Sequence, residues 1–157
     1  MGIYVVTGAA SGMGKASAER LRANGHTVIG VDRSDADVVA DLSTPQGRST
    51  AIRQTLELAG GRLDGAVLAA GLGPVAGKEA VIAQVNVRGV IDLLVGWRPA
   101  LAATGNSKVV VFGSNSTTAT PGVPNSAVKA FLAGDLDKGV KRAGRISAAA
   151  APFTYAA

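Results

Sequence analysis

Positions 7–14 read T-G-A-A-S-G-M-G, and Asp32 stands 18 residues past Gly14. The spacing Gly8-x-x-x-Gly12-x-Gly14 lets a strand turn sharply into a helix and brings backbone close to a pyrophosphate. The helix that follows offers free N–H groups and the positive end of its dipole to that anion. A carboxylate about 20 residues on accepts hydrogen bonds from both hydroxyls of an adenosine ribose and repels a 2′-phosphate. The two features together point to a dinucleotide site that prefers NAD to NADP. A hydrogen bond to the charged acid is worth about 1.5–3 kcal/mol, roughly 10- to 150-fold in affinity. The plainer alternative is a glycine-rich helix start beside an ordinary loop acid, and the pairing of loop and acid weighs against it. Arg33 could serve a 2′-phosphate, but beside Asp32 it is expected at the surface.

Such a loop must be held by a strand before it and a helix after it. Four β-rich runs, at 3–6, 27–31, 66–69 and 108–112, are almost continuously apolar rather than alternating. That suits parallel strands covered on both faces. Helical segments fall between them. Residues 15–24 are followed by Gly25, a C-terminal stop. Thr44-Pro45 reads as an N-cap and first helical position, after which Ala51, Ile52, Leu56 and Ala59 share a face. Residues 78–103 suggest one long helix interrupted near Gly89 or Pro99, carrying Val81, Val85, Ile91, Leu94 and Val95. Residues 114–126 read as a polar loop. A further helix is expected over 127–142, with Val128, Phe131, Leu132, Leu136 and Val140 near one face and Gly144 at its end. The β-α-β-α-β-α-β order implies a doubly wound parallel α/β sheet in a single domain over 1–157.

Composition narrows the partners. Glycine is 21 of 157 residues, about double the usual ~7%, while 47% of the chain is apolar, so the glycines serve tight turns in a packed globule. There is no cysteine and one histidine, His26, so disulfides and thiolate chemistry are excluded and a metal site has little support. His26, between a helix and a strand, is expected to be structural. No basic segment precedes an apolar run at the start, and no window reads as a membrane span, so a cytoplasmic, soluble protein is expected. The net charge of +5 raises nucleic acid as a partner, but the bases are scattered and aromatics are only 4%. The densest group, Lys138, Lys141, Arg142 and Arg145, is expected to form one solvated helix face.

With these residues in order, the sequence resembles the short-chain dehydrogenase/reductase family. T-G-x-x-x-G-x-G at 7–14 is that family's ordinary glycine pattern, not the G-x-x-G-x-x-G of the branch that includes sugar epimerases. D41-L42 looks like the acid–apolar pair flanking the adenine. D64-G-A-V-L-A-A-G71 stands in the place of D-x-x-x-N-N-A-G, with Leu68-Ala69 replacing the usual Asn-Asn. V-N86-V matches the helix asparagine, V-V-V-F-G-S114 ends at the serine, and Tyr155 falls where the family has Y-x-x-x-K. The stretches 41–48 and 64–74 resemble the bacterial 3α-hydroxysteroid dehydrogenase/carbonyl reductase subgroup. So does the separation of 41 residues between Ser114 and Tyr155, long enough for a helical insertion at 115–145.

The resemblance implies a Rossmann-type sheet and hydride transfer between NAD and a secondary alcohol or ketone, with a hydroxysteroid or bulky carbonyl compound as one candidate substrate. It implies nucleotide contacts from Thr7, Gly8, Ser11, Gly12, Met13, Gly14, Asp32, Asp41, Leu42, Ala70 and Gly71. It implies Ser114 on the substrate oxygen, Tyr155 as the acid–base group and Asn86 holding a relay water. A tyrosine can move that proton only if its ordinary pKa of ~10 is brought down, by about 4 kcal/mol for three units. In the family a lysine and the nicotinamide charge do this. That lysine would stand at 159, so the sequence reads as an N-terminal portion lacking the last strands, and a chain ending at Ala157 is expected to turn over hardly at all. A homo-oligomer, dimer or tetramer, with dimer favoured, is also implied.

Each catalytic residue has a plainer reading: Ser114 a turn residue, Asn86 a helix amide bonded to backbone, Tyr155 a surface tyrosine. Their order behind a nucleotide fingerprint favours the catalytic one. The rival function is a regulatory module that binds NAD without turnover, which the Leu68-Ala69 departure and the missing lysine favour slightly. Nucleic-acid binding rests on charge alone.

Overall fold

The computed structural model describes residues 1–145 and 149–157. They fall in two compact units, Met1–Ala70 with Val90–Phe112, and Gly71–Gly89 with Gly113–Ala157.

The first unit holds a parallel sheet. Its strands are β1 (Ile3–Thr7), β2 (Thr27–Asp32), β3 (Val38–Val39), β4 (Gly65–Leu68) and β5 (Lys108–Val111), in the spatial order β3-β2-β1-β4-β5. The chain runs outward from β1 to β3, then crosses back to β4 on the other side. Its switch point therefore lies between β1 and β4, where such sheets hold their ligands. Every pair is parallel, with Val5 opposite Ile29 and Ala66.

Helices on both faces explain the near-continuous apolar runs of β1, β2 and β4. The run at 108–112 departs from that expectation, since β5 lies at the edge of the sheet and Val109, Val110, Val111 and Phe112 are exposed. Side chains alternate along a strand. Val5, Ile29, Val31, Ala66 and Leu68 enter one core with Ala51 of α2 (Pro45–Leu58) and Leu93 and Trp97 of α4 (Val90–Ala102). Val6, Val28 and Val67 enter another with Ala18 and Leu21 of α1 (Gly12–Ala23). Gly25 has a φ of +81°, which stops α1 as expected. Thr44 caps α2, its hydroxyl accepting the Gly47 N–H at 3.0 Å, with Pro45 in the first turn.

Three expectations change. Val38–Val39 forms an additional two-residue strand. Helical structure does run from Glu79 to Ala102, but Gln84–Gly89 is a π-helical stretch, between α3 (Glu79–Ala83) and α4, and Pro99 stays inside α4. That 24-residue run is also long and apolar enough to cross a membrane by length and composition, with a mean hydropathy of 1.4. This departs from the reading that no window qualifies. Leu93, Trp97, Ala100 and Leu101 of α4 are buried in the sheet's core, as in a core helix.

The second unit is helical apart from its loops. Within the polar stretch 114–126 lies a one-turn helix, α5 (Ser116–Ala119). The single helix expected over 127–142 is two: α6 (Asn125–Leu132) and α7 (Leu136–Ala143). Gly134, at φ +76°, makes the turn, and Asp135 caps α7 by accepting the Lys138 N–H at 3.1 Å. The break resets the buried face, so Leu132 is 83% exposed instead of sharing a face with Phe131. Gly144 closes α7 as read. Phe131, Leu136 and Ala143 pack with Phe153 of α8 (Ala150–Ala156), which fixes the helix that carries Tyr155.

Candidate functional site

In the first unit the glycine loop leaves β1 at the switch point. Gly8 and Gly12 have φ of +70° and +53°, which side-chain-bearing residues rarely adopt. A Cβ on Gly14 would overlap the Gly8 carbonyl oxygen, and one on Gly8 would sit 2.9 Å from Ala70 N, so both are places of close backbone approach. Gly12 faces open space, with nothing within 4 Å of such a Cβ. Gly14→Ala is expected to cost about 1–3 kcal/mol by forcing that turn apart. Urea denaturation would measure the cost, and an unchanged midpoint would contradict it.

The donors are in place as well. Ser11 precedes α1 without a side-chain cap bond, and no described acceptor meets the first-turn N–H groups of Gly12, Met13 and Gly14. Ser11, Gly12 and Met13 are exposed and Gly14 is buried. These orphan donors beside an open glycine fit the pyrophosphate of a dinucleotide.

Thr7 is buried, and its hydroxyl accepts the Ala69 and Ala70 N–H groups at 3.1 and 3.0 Å. It therefore fastens the end of β4 to the end of β1, and Leu68 lies in the core where the family's first asparagine would be. Asp32 ends β2, half-buried, and accepts the Ala10 N–H at 3.0 Å and the Arg33 N–H at 2.6 Å. Each carboxylate oxygen keeps a lone pair for a ribose hydroxyl. Arg33 is exposed, as read.

Leu42 is buried in the core while Asp41 is exposed. Hydrogen bonds from Ser43, its hydroxyl first and then its N–H, hold the Asp41 carboxyl below its ordinary 3.8; Arg33 adds to this and partial burial opposes it. A lowered carboxylate pKa gives stability that is present above the unfolded value and lost as pH falls through the folded one. The Ser43 amide NMR shift should therefore titrate with a midpoint below 3.8; a midpoint at or above it would refute the assignment.

Sequence reasoning missed Arg48. It is 4% exposed, and it donates from Nε to Asp92 at 2.8 Å and from Nη1 to the Leu42 carbonyl at 2.9 Å. It ties the 41–42 turn to α4. The N-terminal region of α2 gave no signal, because its partner lies 44 positions away.

Asn86, Ser114, Tyr155 and Gly71 belong to the second unit. Asn86 sits in the π-helical stretch. Its Oδ1 accepts the Leu72 N–H at 2.9 Å and its Nδ2 donates to the Leu72 carbonyl at 3.0 Å, a reciprocal pair that fixes the amide's orientation. It thus staples the loop after Gly71, which is exposed. Ser114 is half-buried, and its Oγ accepts the Ser116 N–H at 3.2 Å. Its hydroxyl proton remains available for donation. α5, which starts two residues after Ser114, packs against α8, which carries the half-buried Tyr155. His26 is structural as read: Nδ1 accepts the Gly2 N–H at 3.2 Å and the ring meets Tyr4 edge-on at 4.7 Å. No His/Asp/Glu group suited to a metal occurs among the described residues.

Known proteins resemble this chain in sequence and fold. The sequence pattern of the NAD dependent epimerase/dehydratase family matches residues 4–131. A 3-alpha-hydroxysteroid dehydrogenase/carbonyl reductase of Comamonas testosteroni is 40% identical over 73% of this chain and 44% of its own length. A coniferyl-alcohol dehydrogenase of a Pseudomonas species is 44% identical over 55% of this chain and 34% of its own. The crystal structure of a Pseudomonas 3-alpha-hydroxysteroid dehydrogenase complexed with NADH superposes with a TM-score of 0.86 at 40% identity, covering 98% of this chain and 60% of that one. The chain thus spans under half the length of the two curated relatives. The matching family carries the epimerase name although the glycine spacing here is the ordinary one, and the two curated relatives are a dehydrogenase/carbonyl reductase and an alcohol dehydrogenase. This chain belongs to the NAD dependent epimerase/dehydratase family, and among short-chain dehydrogenase/reductases it is a relative of 3α-hydroxysteroid dehydrogenase/carbonyl reductase.

Proposed function

We propose that the protein is an NAD(H)-dependent oxidoreductase that interconverts a secondary alcohol and a ketone, with a hydroxysteroid or another bulky carbonyl compound as substrate. The observation that carries this is the strand-end cradle: the open Gly12, the orphan first-turn N–H groups, and Asp32 facing the same loop. Gly12, Met13 and Gly14 would hold the pyrophosphate. Asp32 would accept from the adenosine ribose and set the preference for NAD. Asp41 and Leu42 would flank the adenine, and Ala70 and Gly71 would border the nicotinamide half, while Thr7 keeps the strand ends together.

Bound NAD would supply the hydride acceptor or donor. Ser114 directs its free O–H to the substrate oxygen, because Ser116 N–H already occupies one Oγ lone pair. Tyr155 gives or takes the proton at that oxygen, and the family lysine four positions later belongs to the same reading. The π-helical stretch around Asn86 loosens the regular backbone bonding there, which suits a carbonyl left to hold a relay water. Residues 115–145 act as a helical insertion whose packing on Phe153 sets the position of α8.

The test is oxidation of a secondary alcohol with NAD, followed at 340 nm. In a chain that also carries the lysine four positions after Tyr155, NADH formation that needs Tyr155 is expected. Saturable NAD binding without turnover of any alcohol would favour the regulatory-module reading instead.

A further inference from the structure

The second unit carries seven basic against three acidic residues, so it holds four of the chain's five net positive charges. Four of those bases recur at the helical spacing 138, 141, 142 and 145, on α7 and just past its end. The face is solvated as expected, with Lys138, Lys141 and Arg145 exposed and Arg142 half-buried. These four side chains also line a concavity of about 540 Å³, with Ser126 of α6 on its wall. A smaller hollow of about 140 Å³ shares Ser126, Lys138 and Arg142 and adds Lys129. Among the described residues none of these five cations forms an ion pair. Two carboxylates stand close in sequence: Asp135, which borders only the smaller hollow and caps α7, and Asp137 in the first turn of α7, which lines neither hollow and forms no ion pair among the described residues. Such crowding of uncompensated cations around a hollow raises the local concentration of anions.

We propose that this concavity binds a small ligand bearing two or three linked phosphate groups. Size and charge choose the class. The cations from 138 to 145 span about 10 Å at helical rise, the reach of a short polyphosphate. The volume lies in the range of small-molecule sites, roughly 300–1,000 Å³. A duplex would need more phosphate contacts, about 6–10, and single strands need aromatic platforms that are absent here. A membrane surface would need an exposed apolar face, whereas Leu136, Val140 and Ala143 of α7 are packed in the unit's core. The ligand's oxygens would meet Lys138, Lys141, Arg142 and Arg145 as charge-assisted hydrogen bonds, with Ser126 donating its O–H.

The test is calorimetric titration of the purified protein with sodium tripolyphosphate at low salt. Saturable one-to-one binding is expected. It should weaken at least tenfold in the Lys141→Gln/Arg142→Gln variant, and inorganic phosphate should bind at least tenfold more weakly than tripolyphosphate. Lys141 is exposed and Arg142 half-buried, and an unchanged thermal midpoint would show that the variant is folded. Equal tripolyphosphate affinity in variant and wild type would overturn the proposal. So would the absence of saturable binding, or tighter retention of duplex DNA or anionic vesicles at the same salt. Tripolyphosphate binding at the glycine loop would be equal in variant and wild type, since that loop is the same in both, so the loss in the variant reports the concavity.

Discussion

In a chain that carries the family lysine four positions later, Tyr155→Phe should lower kcat for alcohol oxidation by about 10²–10⁴, the usual contribution of a positioned acid–base group. The substitution removes one oxygen and leaves the ring. The ring sits half-buried on α8 between Thr154 and Ala156, which are buried. Phe153 anchors the same helix in the core of the second unit. Folding should therefore be unaffected, and NADH affinity should stay within about twofold, because the nucleotide cradle is built from the first unit's β1–α1 turn. A kcat loss with unchanged nucleotide affinity separates a chemical role from a structural one. Activity within threefold of wild type would remove Tyr155 from the mechanism. Ser114→Ala provides a parallel check, since the Ser116 N–H loses its acceptor as well as the substrate losing its donor.

Arg48→Ala should destabilise the protein by about 3 kcal/mol. Removing one member of a buried ion pair usually costs about 3–5 kcal/mol. The lower end applies because the Asp92 side chain keeps 24% of its exposure. The same substitution frees the Leu42 carbonyl, so the 41–42 turn should loosen and NADH affinity should fall too. For a chain of this size the thermal midpoint should drop by roughly 6–12 °C. Arg48→Lys should rescue only part of this, because one ammonium cannot reproduce the two directions used by the guanidinium. A midpoint within 2 °C of wild type in Arg48→Ala would show that the pair is not a structural tie.

These two residues also show what the sequence makes legible. Tyr155 was proposed from its place in an ordered series, and Gly8–Gly14 with Asp32 from a local spacing that backbone geometry demands. Thr44-Pro45 and Gly25 were legible for the same reason: a cap or a positive φ has its cause within a few residues. Arg48 had no such signature, because its value comes from Asp92, brought near only by the packing of α2 against α4. Val38–Val39 was missed because two residues are too few to show a period. The break at Gly134 was read through because apolar residues on either side kept a helical spacing. In the 78–103 run an interruption was expected near Gly89 or Pro99; it falls at Gln84–Gly89, and its π-helical form was not foreseen, since side-chain periodicity does not report which carbonyl each N–H meets.

The most direct test of the central claim is a fluorescence titration of NADH and NADPH into the protein and its Asp32→Asn variant. The account predicts saturable NADH binding at least tenfold tighter than NADPH, with that preference lost in Asp32→Asn. NADPH binding as tight as NADH in the wild type, or no saturable binding of either, would contradict it.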